Sequence, residues 1–139
     1  MSRRRPTATG SKTRAPSAHL ISGARAEKSA QKWLQKKGLL HVLSNFRCRH
    51  GELDLVMRDA GCLVIVEVRY RRLPTFGGAL ESVSATKQRR IGLATQQLLR
   101  EHRELYSLPL RFDVLAMSGP VGEPAFDWRR NAFCFDSIT

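Results

Sequence analysis

Two carboxylates set inside apolar strands constrain this chain more than any other feature. Gly51-Glu52-Leu53-Asp54-Leu55-Val56 is followed, past Asp59-Ala60-Gly61, by Val64-Ile65-Val66-Glu67-Val68-Arg69. Apolar alternation on both sides of a short turn predicts a β-hairpin of Glu52 to Arg58 against Cys62 to Tyr70. A two-residue loop, Ala60-Gly61, sets Asp59 opposite Cys62. Met57 then faces Val64, Leu55 faces Val66, Leu53 faces Val68, and Asp54 faces Glu67. In this register Leu53, Leu55 and Met57 share one face and apolar meets apolar; a one-residue slip mismatches every pair. Directly opposed side chains have Cβ atoms about 4.5–5.5 Å apart, where like charges repel. Two ionised carboxylates at that distance require a cation. Arg69, two residues beyond Glu67 on the same face, would supply it as a structural salt bridge; a divalent metal ion would supply it as a functional site. The hairpin geometry is compatible with both.

The overall charge indicates what such a site would meet. Lys and Arg number 24 against 12 Asp and Glu, a net charge of +12. Residues 1–18 hold five of the cations (Arg3, Arg4, Arg5, Lys12, Arg14) and no acid, so +7 remains on residues 19–139. A basic excess that persists outside the tail points to a polyanion, most simply nucleic acid. Residues 1–18 have no aliphatic residue after Met1 other than alanine, and read as a disordered basic arm. An organellar transit peptide is a second reading of the same composition. Residues 19–139 are long and apolar enough for a single domain with its own core. Cys48, Cys62 and Cys134 are odd in number and lack CxxC spacing, so small core thiols in a reducing, cytoplasmic compartment are expected rather than a disulfide frame or zinc site. No apolar run approaches the roughly 20 residues of a membrane span.

Two helices are expected to flank the hairpin. The first runs from a Ser22 cap to Lys37, stopped by Gly38, with Ala26, Ala30, Trp33 and Leu34 as its apolar stripe. At 100° per residue Glu27 lies about 20° around the helix from Leu34 and so borders the buried face, while Arg25, Lys28, Lys32 and Lys36 reach water. Glu27 paired with a lysine is the plain reading. Ser84 caps the second helix, Ala85 to His102, whose stripe is Ile91, Ala94 and Leu98. Lys87 stands in its first turn, where a cation opposes the helix dipole. A snorkelling stem is its ordinary role, anion holding the alternative. Arg89 and Arg90 add a basic shoulder, and residues 71–83, with Arg71 and Arg72, form a basic glycine-containing loop able to follow a phosphate backbone. Leu39 to Cys48 and Leu110 to Met117 read as further strands, and Ala125 to Trp128 with Ala132 to Phe135 as short closing strands around Arg129-Arg130-Asn131. The order α-β-β-β-α-β-β is that of an α/β (α+β) protein with helices packed on a mixed sheet.

The GE-x-D-L strand, the hairpin turn, VEV-x-x-R, the FG loop and the helix-opening lysine together resemble the YraN-type endonuclease-like family. The likeness continues in Ala24 to Gly38, in Arg111-Phe112-Asp113-Val114 and in Asn131-Ala132-Phe133. That family resembles the PD-(D/E)xK nucleases, with a restriction-endonuclease-like core close to that of archaeal Holliday-junction resolvases. The resemblance implies a metal-dependent endonuclease acting on DNA, branched or single-stranded, with Mg²⁺ or Mn²⁺ as cofactor. It makes Asp54 and Glu67 metal ligands, adds the Val68 carbonyl, and brings in Glu27 from the first helix, often through water. Lys87 and Arg71 match the family's helix lysine and post-motif arginine, and resolvase-like relatives suggest a homodimer. One position departs: the family pattern has lysine where this chain has Arg69. Arginine keeps the charge but cannot act as a base, so the alternative is a nuclease fold that binds nucleic acid without cutting it, with Arg69 clamping the acids.

Overall fold

Residues 18–72, 83–120 and 122–134 are described by the computed structural model, with side chains from Gly23 onward in the first helix. The proposed basic arm and most of the basic loop, residues 73–82, lie outside the described residues. The elements are α1 (Ala18–Lys36), β1 (Leu40–Cys48), β2 (Gly51–Asp59), β3 (Cys62–Arg71), α2 (Ala85–Glu101), a short 3-10 turn (Arg103–Leu105), β4 (Leu110–Ser118) and β5 (Ala125–Phe133). The architecture is α+β, in the expected order.

The five strands form one sheet in the order β1-β2-β3-β4-β5. Short turns make the β1–β2, β2–β3 and β4–β5 pairs antiparallel, and the α2 crossover makes β3–β4 parallel. The central strand β3 is apolar on both faces from Leu63 to Val66, because a helix covers each. Ala26, Ala30 and Leu34 of α1 pack on Leu55, Met57, Val64, Val66, Leu115 and Met117. Ile91, Ala94 and Leu98 of α2 pack on Leu53, Val56, Leu63, Ile65, Phe112 and Val114 on the other side.

α1 begins at Ala18, so Ser22 lies inside the helix instead of capping it. Its end is as expected: Gly38 takes φ 102, and the N–H of Leu39 reaches back to the Leu34 carbonyl at 3.1 Å, closing the helix in a Schellman-type turn. The β2–β3 register agrees with the sequence reading from Asp59–Cys62 to Leu55–Val66. There the pairing stops, one step short of Asp54 and Glu67. Beyond it β2 stays with β1 as far as Gly51–Cys48, and β3 stays with β4 as far as Arg71–Ser118, so the sheet forks. At the fork Asn45 takes the left-handed φ of 55, and Leu53 packs with the α2 face while Leu55 and Met57 pack with the α1 face. The expectation that all three share a face therefore fails. The bend breaks the period-two alternation that the expectation rested on.

β5 is one strand, not two short ones. A register shift between Phe112 and Val114, with Asn131 at φ 52, absorbs the Arg129-Arg130-Asn131 interruption. This bulge aims the Asn131 N–H at Asp113 Oδ1, 2.9 Å away. Asp113 is fully buried and also accepts from Arg111 Nε and Nη2 and from Trp128 Nε1, at 2.9, 3.0 and 2.9 Å. Arg111 extends to Asp59 Oδ2 at 3.0 Å, tying the hairpin turn to β4. The cysteines are all unpaired; Cys48 is half-buried against the α2-face core, whereas Cys134 is exposed, contrary to its expected place in the core. Among the described residues no helix is long and apolar enough to cross a membrane.

Candidate metal centre and nucleic-acid groove

The fork leaves backbone groups without ladder partners, and side chains fill the gap. The Val68 N–H, beyond the last residue of β3 that pairs with β2, donates to Asp54 Oδ2 at 2.9 Å. Asp54 thus bridges the two diverging strands. Glu67, one residue earlier on β3, is buried, with 6% of its surface exposed. Its Oε2 lies 2.8 Å from Lys87 Nζ. Lys87 is brought there by the start of α2, where Ser84 Oγ accepts the Lys87 N–H at 3.1 Å and fixes the first turn. The ammonium that meets the buried acid is therefore that of Lys87. Arg69 is half-buried and makes no ion pair among the described residues, so its proposed clamp on Asp54 and Glu67 is not formed. Parity on the strand was a poor guide, because α2 approaches the same face with a lysine at closer reach.

The carboxylate oxygens of Glu27, Glu52 and Asp54 lie within 4.8 Å of one another. Glu27 comes from α1, on the side of the helix that faces β1, where the Asn45 side chain hydrogen-bonds it. Glu52 was not among the residues singled out from the sequence. The available signal was its place two residues before Asp54 at the start of the same strand, where a second carboxylate stands close to the first. Glu67 stands beside this trio, held by Lys87. The four residues implied by the family resemblance, Asp54, Glu67, Val68 and Glu27, line one groove together, and Glu52 is the addition to that set.

Crowding shows in the acidities. Burial, then the charge of Glu67, and also that of Glu27, push Asp54 up to about 7; the Val68 N–H and Lys87 work against the rise. Burial also raises Glu27, with Glu52 and Glu67 adding to it, while the Asn45 hydrogen bond and Arg47 oppose it. The ionised cluster is short of positive charge. An all-oxygen donor set of carboxylates is the kind a hard cation such as Mg²⁺ or Mn²⁺ takes. The residues therefore fit such an ion on donor type, spacing and charge.

The acids stand between two cavities. A groove of about 640 Å³ has Glu27, Asp54, Glu67, Tyr70, Arg71 and Arg72 in its wall. A cleft of about 160 Å³ on the α2 side is lined by Glu52, Asp54, Glu67, Lys87 and Arg90, among others. Gly51, with φ 155, lets β2 approach Arg90 closely enough to form this cleft; a Cβ there would stand 3.3 Å from the Arg90 Cβ. Arg71, Arg72 and Arg90 are thus at the acids. Arg89 is exposed on α2 and lines neither cavity.

Comparison with known proteins adds family context. The sequence model of a family described as uncharacterised protein family UPF0102 matches residues 26–117. A UPF0102 protein of Alcanivorax borkumensis is 47% identical over 114 residues, covering 81% of this chain and 90% of that protein. One from Alkalilimnicola ehrlichii is 43% identical over 133 residues, covering 96% and 97%. One from Xanthomonas campestris is 47% identical over 121 residues, covering 87% and 98%. The family match takes in the fork, α2 and the larger part of α1 and β4.

Proposed function

Because this chain belongs to the uncharacterised protein family UPF0102, the YraN family, whose members have a nuclease-like core, we propose that it is a Mg²⁺- or Mn²⁺-dependent endonuclease acting on DNA. The observation that carries this reading is the trio Glu27, Glu52 and Asp54, with oxygens within 4.8 Å, next to a buried Glu67 held by a lysine ammonium. Glu27, Glu52 and Asp54 would hold the ion, with Glu67 at its border. A bound divalent ion lowers the pKa of a water and offsets charge on a scissile phosphate. Lys87 keeps an ammonium beside that place, suited to stabilise negative charge that develops in the transition state. Arg71 and Arg72 on the groove and Arg90 in the cleft offer guanidinium forks to neighbouring phosphates. The net charge of +12 supplies the long-range attraction.

Calorimetric titration with Mn²⁺ tests the ion directly: wild type binds and Asp54→Ala does not, and equal heats from both would remove the metal centre. Cleavage of branched, single-stranded and linear duplex DNA then identifies the substrate, and loss of cutting in Glu67→Ala assigns the activity to this chain. Metal binding without cleavage would favour the non-cleaving alternative, which rests on Arg69 at the position where the family pattern has lysine. Arg69→Lys separates the two, because only an impaired nuclease gains activity from that change.

A further inference from the structure

We propose that the outer face of α1 is a second contact surface for nucleic acid, a track for the sugar–phosphate backbone of a substrate arm leaving the acid-lined groove. The proposal rests on the reading of that groove as a nucleic-acid site. Arg25, Lys28, Lys32 and Lys36 are all exposed. Their spacing of three, four and four residues places them in one row on the helix, within about 80° of arc and along roughly 16 Å. The row points away from the Ala26, Ala30 and Leu34 stripe that packs on the sheet.

Folding does not account for this row. Like charges at i, i+4 destabilise a helix, and only Lys36, in the last turn, gains from the dipole. From Gly23 to the end of α1 the one acid is Glu27, which is directed into the carboxylate cluster. Among the described residues none of the four cations makes an ion pair. Their field reaches neighbouring groups: burial and then the Lys28 ammonium hold His41 below the usual imidazole range. The end of α2 shows the ordinary alternative, where Arg100 bonds Gln97 and Gln97 bonds Glu101.

Position supplies the link to the site. Arg25, the first cation of the row, stands between Gly23 and Ala26, both of which line the large groove. The row lies on the solvent side of α1, with Arg25, Lys28 and Lys32 about 100° or more around the helix from the groove-lining Ala26, so a backbone that leaves the groove reaches the row by crossing over the helix. Roughly 16 Å corresponds to about five phosphate steps along one strand of a B-form arm. The preferred substrate is accordingly one with a duplex arm extending beyond the cut on the α1 side.

Salt dependence of binding tests this without any activity. A fluorescein-labelled duplex of about 30 base pairs is titrated with full-length protein, free of metal, between roughly 50 and 200 mM salt. Lys28→Gln/Lys32→Gln is compared with Arg100→Gln/Arg103→Gln, which removes the same charge from the far end of α2 and the 3-10 turn after it. The first pair should lower the log–log slope by about 2, near 0.9 for each lost phosphate contact, and the second should leave it within about 0.5 of wild type. An unchanged slope in the α1 variant, or equal drops in both, would overturn the track. Mn²⁺ titration of the same α1 variant keeps the two readings apart. Intact Mn²⁺ binding with an unchanged slope removes the track alone, whereas absent Mn²⁺ binding in wild type removes the groove reading on which it rests.

Discussion

Asp113 and Asp54 are both aspartates placed within apolar strands of one sheet, and their surroundings are opposite. Asp113 is fully buried and receives four donors, two from Arg111, one from the Trp128 indole and one from the Asn131 backbone. Asp54 receives one backbone N–H, from Val68, and shares its space with Glu67, Glu27 and Glu52. The first acid has a complete set of partners and holds β4, β5 and the hairpin turn together. The second is short of positive charge at the mouth of a groove. Asp113 is fully buried and Asp54 only half-buried, so depth of burial does not identify a site. A deficit of donors does, because a charged group kept in low dielectric without partners needs a ligand or a proton.

Removing the complete set should have the largest effect. Asp113→Ala strips Arg111 and Trp128 of their shared acceptor and leaves a partly buried guanidinium with Asp59 alone. Urea unfolding should show a loss of about 3–5 kcal/mol, as for other buried pairs broken from one side, unaltered by Mn²⁺. A loss under about 1 kcal/mol would mean that the network is redundant, and the contrast with Asp54 would collapse.

The opposite sign is expected at the fork. Folded Asp54 holds its proton up to about pH 7, whereas the unfolded chain releases it near 3.8. Between those values the folded state binds the extra proton, so stability supplied by this group is greatest at the acid end and falls as pH rises toward 7. Asp54→Asn removes that dependence. Metal-free, the variant should be more stable than wild type near pH 7 by roughly 1–3 kcal/mol, with the difference shrinking toward pH 4. Mn²⁺ at a hundredfold excess over its dissociation constant should return about 2.7 kcal/mol to wild type and nothing to the variant. A pH-independent difference between the two proteins would place the deficit elsewhere.

The comparison also explains what the sequence could reveal. Element order and the hairpin register from Asp59–Cys62 to Leu55–Val66 follow from apolar periodicity and turn chemistry, which are local. Asp54, Glu67 and Lys87 stood out because each breaks a local rule, a carboxylate in an apolar run or a cation at a helix start. Glu52 broke none and was passed over. The fork depends on Asn45 in β1 and on where two ladders end, so the face of Leu53 was not legible from β2 itself. The cation on Glu67 was sought at Arg69, two residues along the strand, and is Lys87, twenty residues on, because tertiary packing of α2 decides it. Asp113 poses the same difficulty: two of its donors lie 15 and 18 residues away.

Lys87 allows the fork to be made still poorer in charge. Lys87→Gln leaves a buried Glu67 without its ammonium, at a cost of about 1–2 kcal/mol near pH 7, less than at Asp113 because the lysine is half-exposed. Divalent ion should recover most of that loss, since it replaces the missing positive charge. Thermal unfolding with and without Mn²⁺ measures both effects. Failure of the ion to rescue the variant would make Lys87 an organising part of the fold instead of a charge that a metal can replace.

The smallest effect is expected at Arg47, and it bears most directly on whether the fork is open. Arg47 Nε lies 3.5 Å from Glu52 Oε2, with the arginine largely and the glutamate partly exposed, so the pair contributes under about 0.5 kcal/mol to stability. Arg47 nonetheless lowers the proton affinity of Glu27, which places its charge within reach of the carboxylate trio. Arg47→Ala should therefore leave urea unfolding nearly unchanged, while Mn²⁺ affinity rises by a small factor, about two to three, as a competing cation is withdrawn. A loss of more than about 1 kcal/mol would give Arg47 the part that Arg111 plays for Asp113. The trio would then be a closed ion-pair network of the structural kind, and the distinction between the two acid centres would be one of degree.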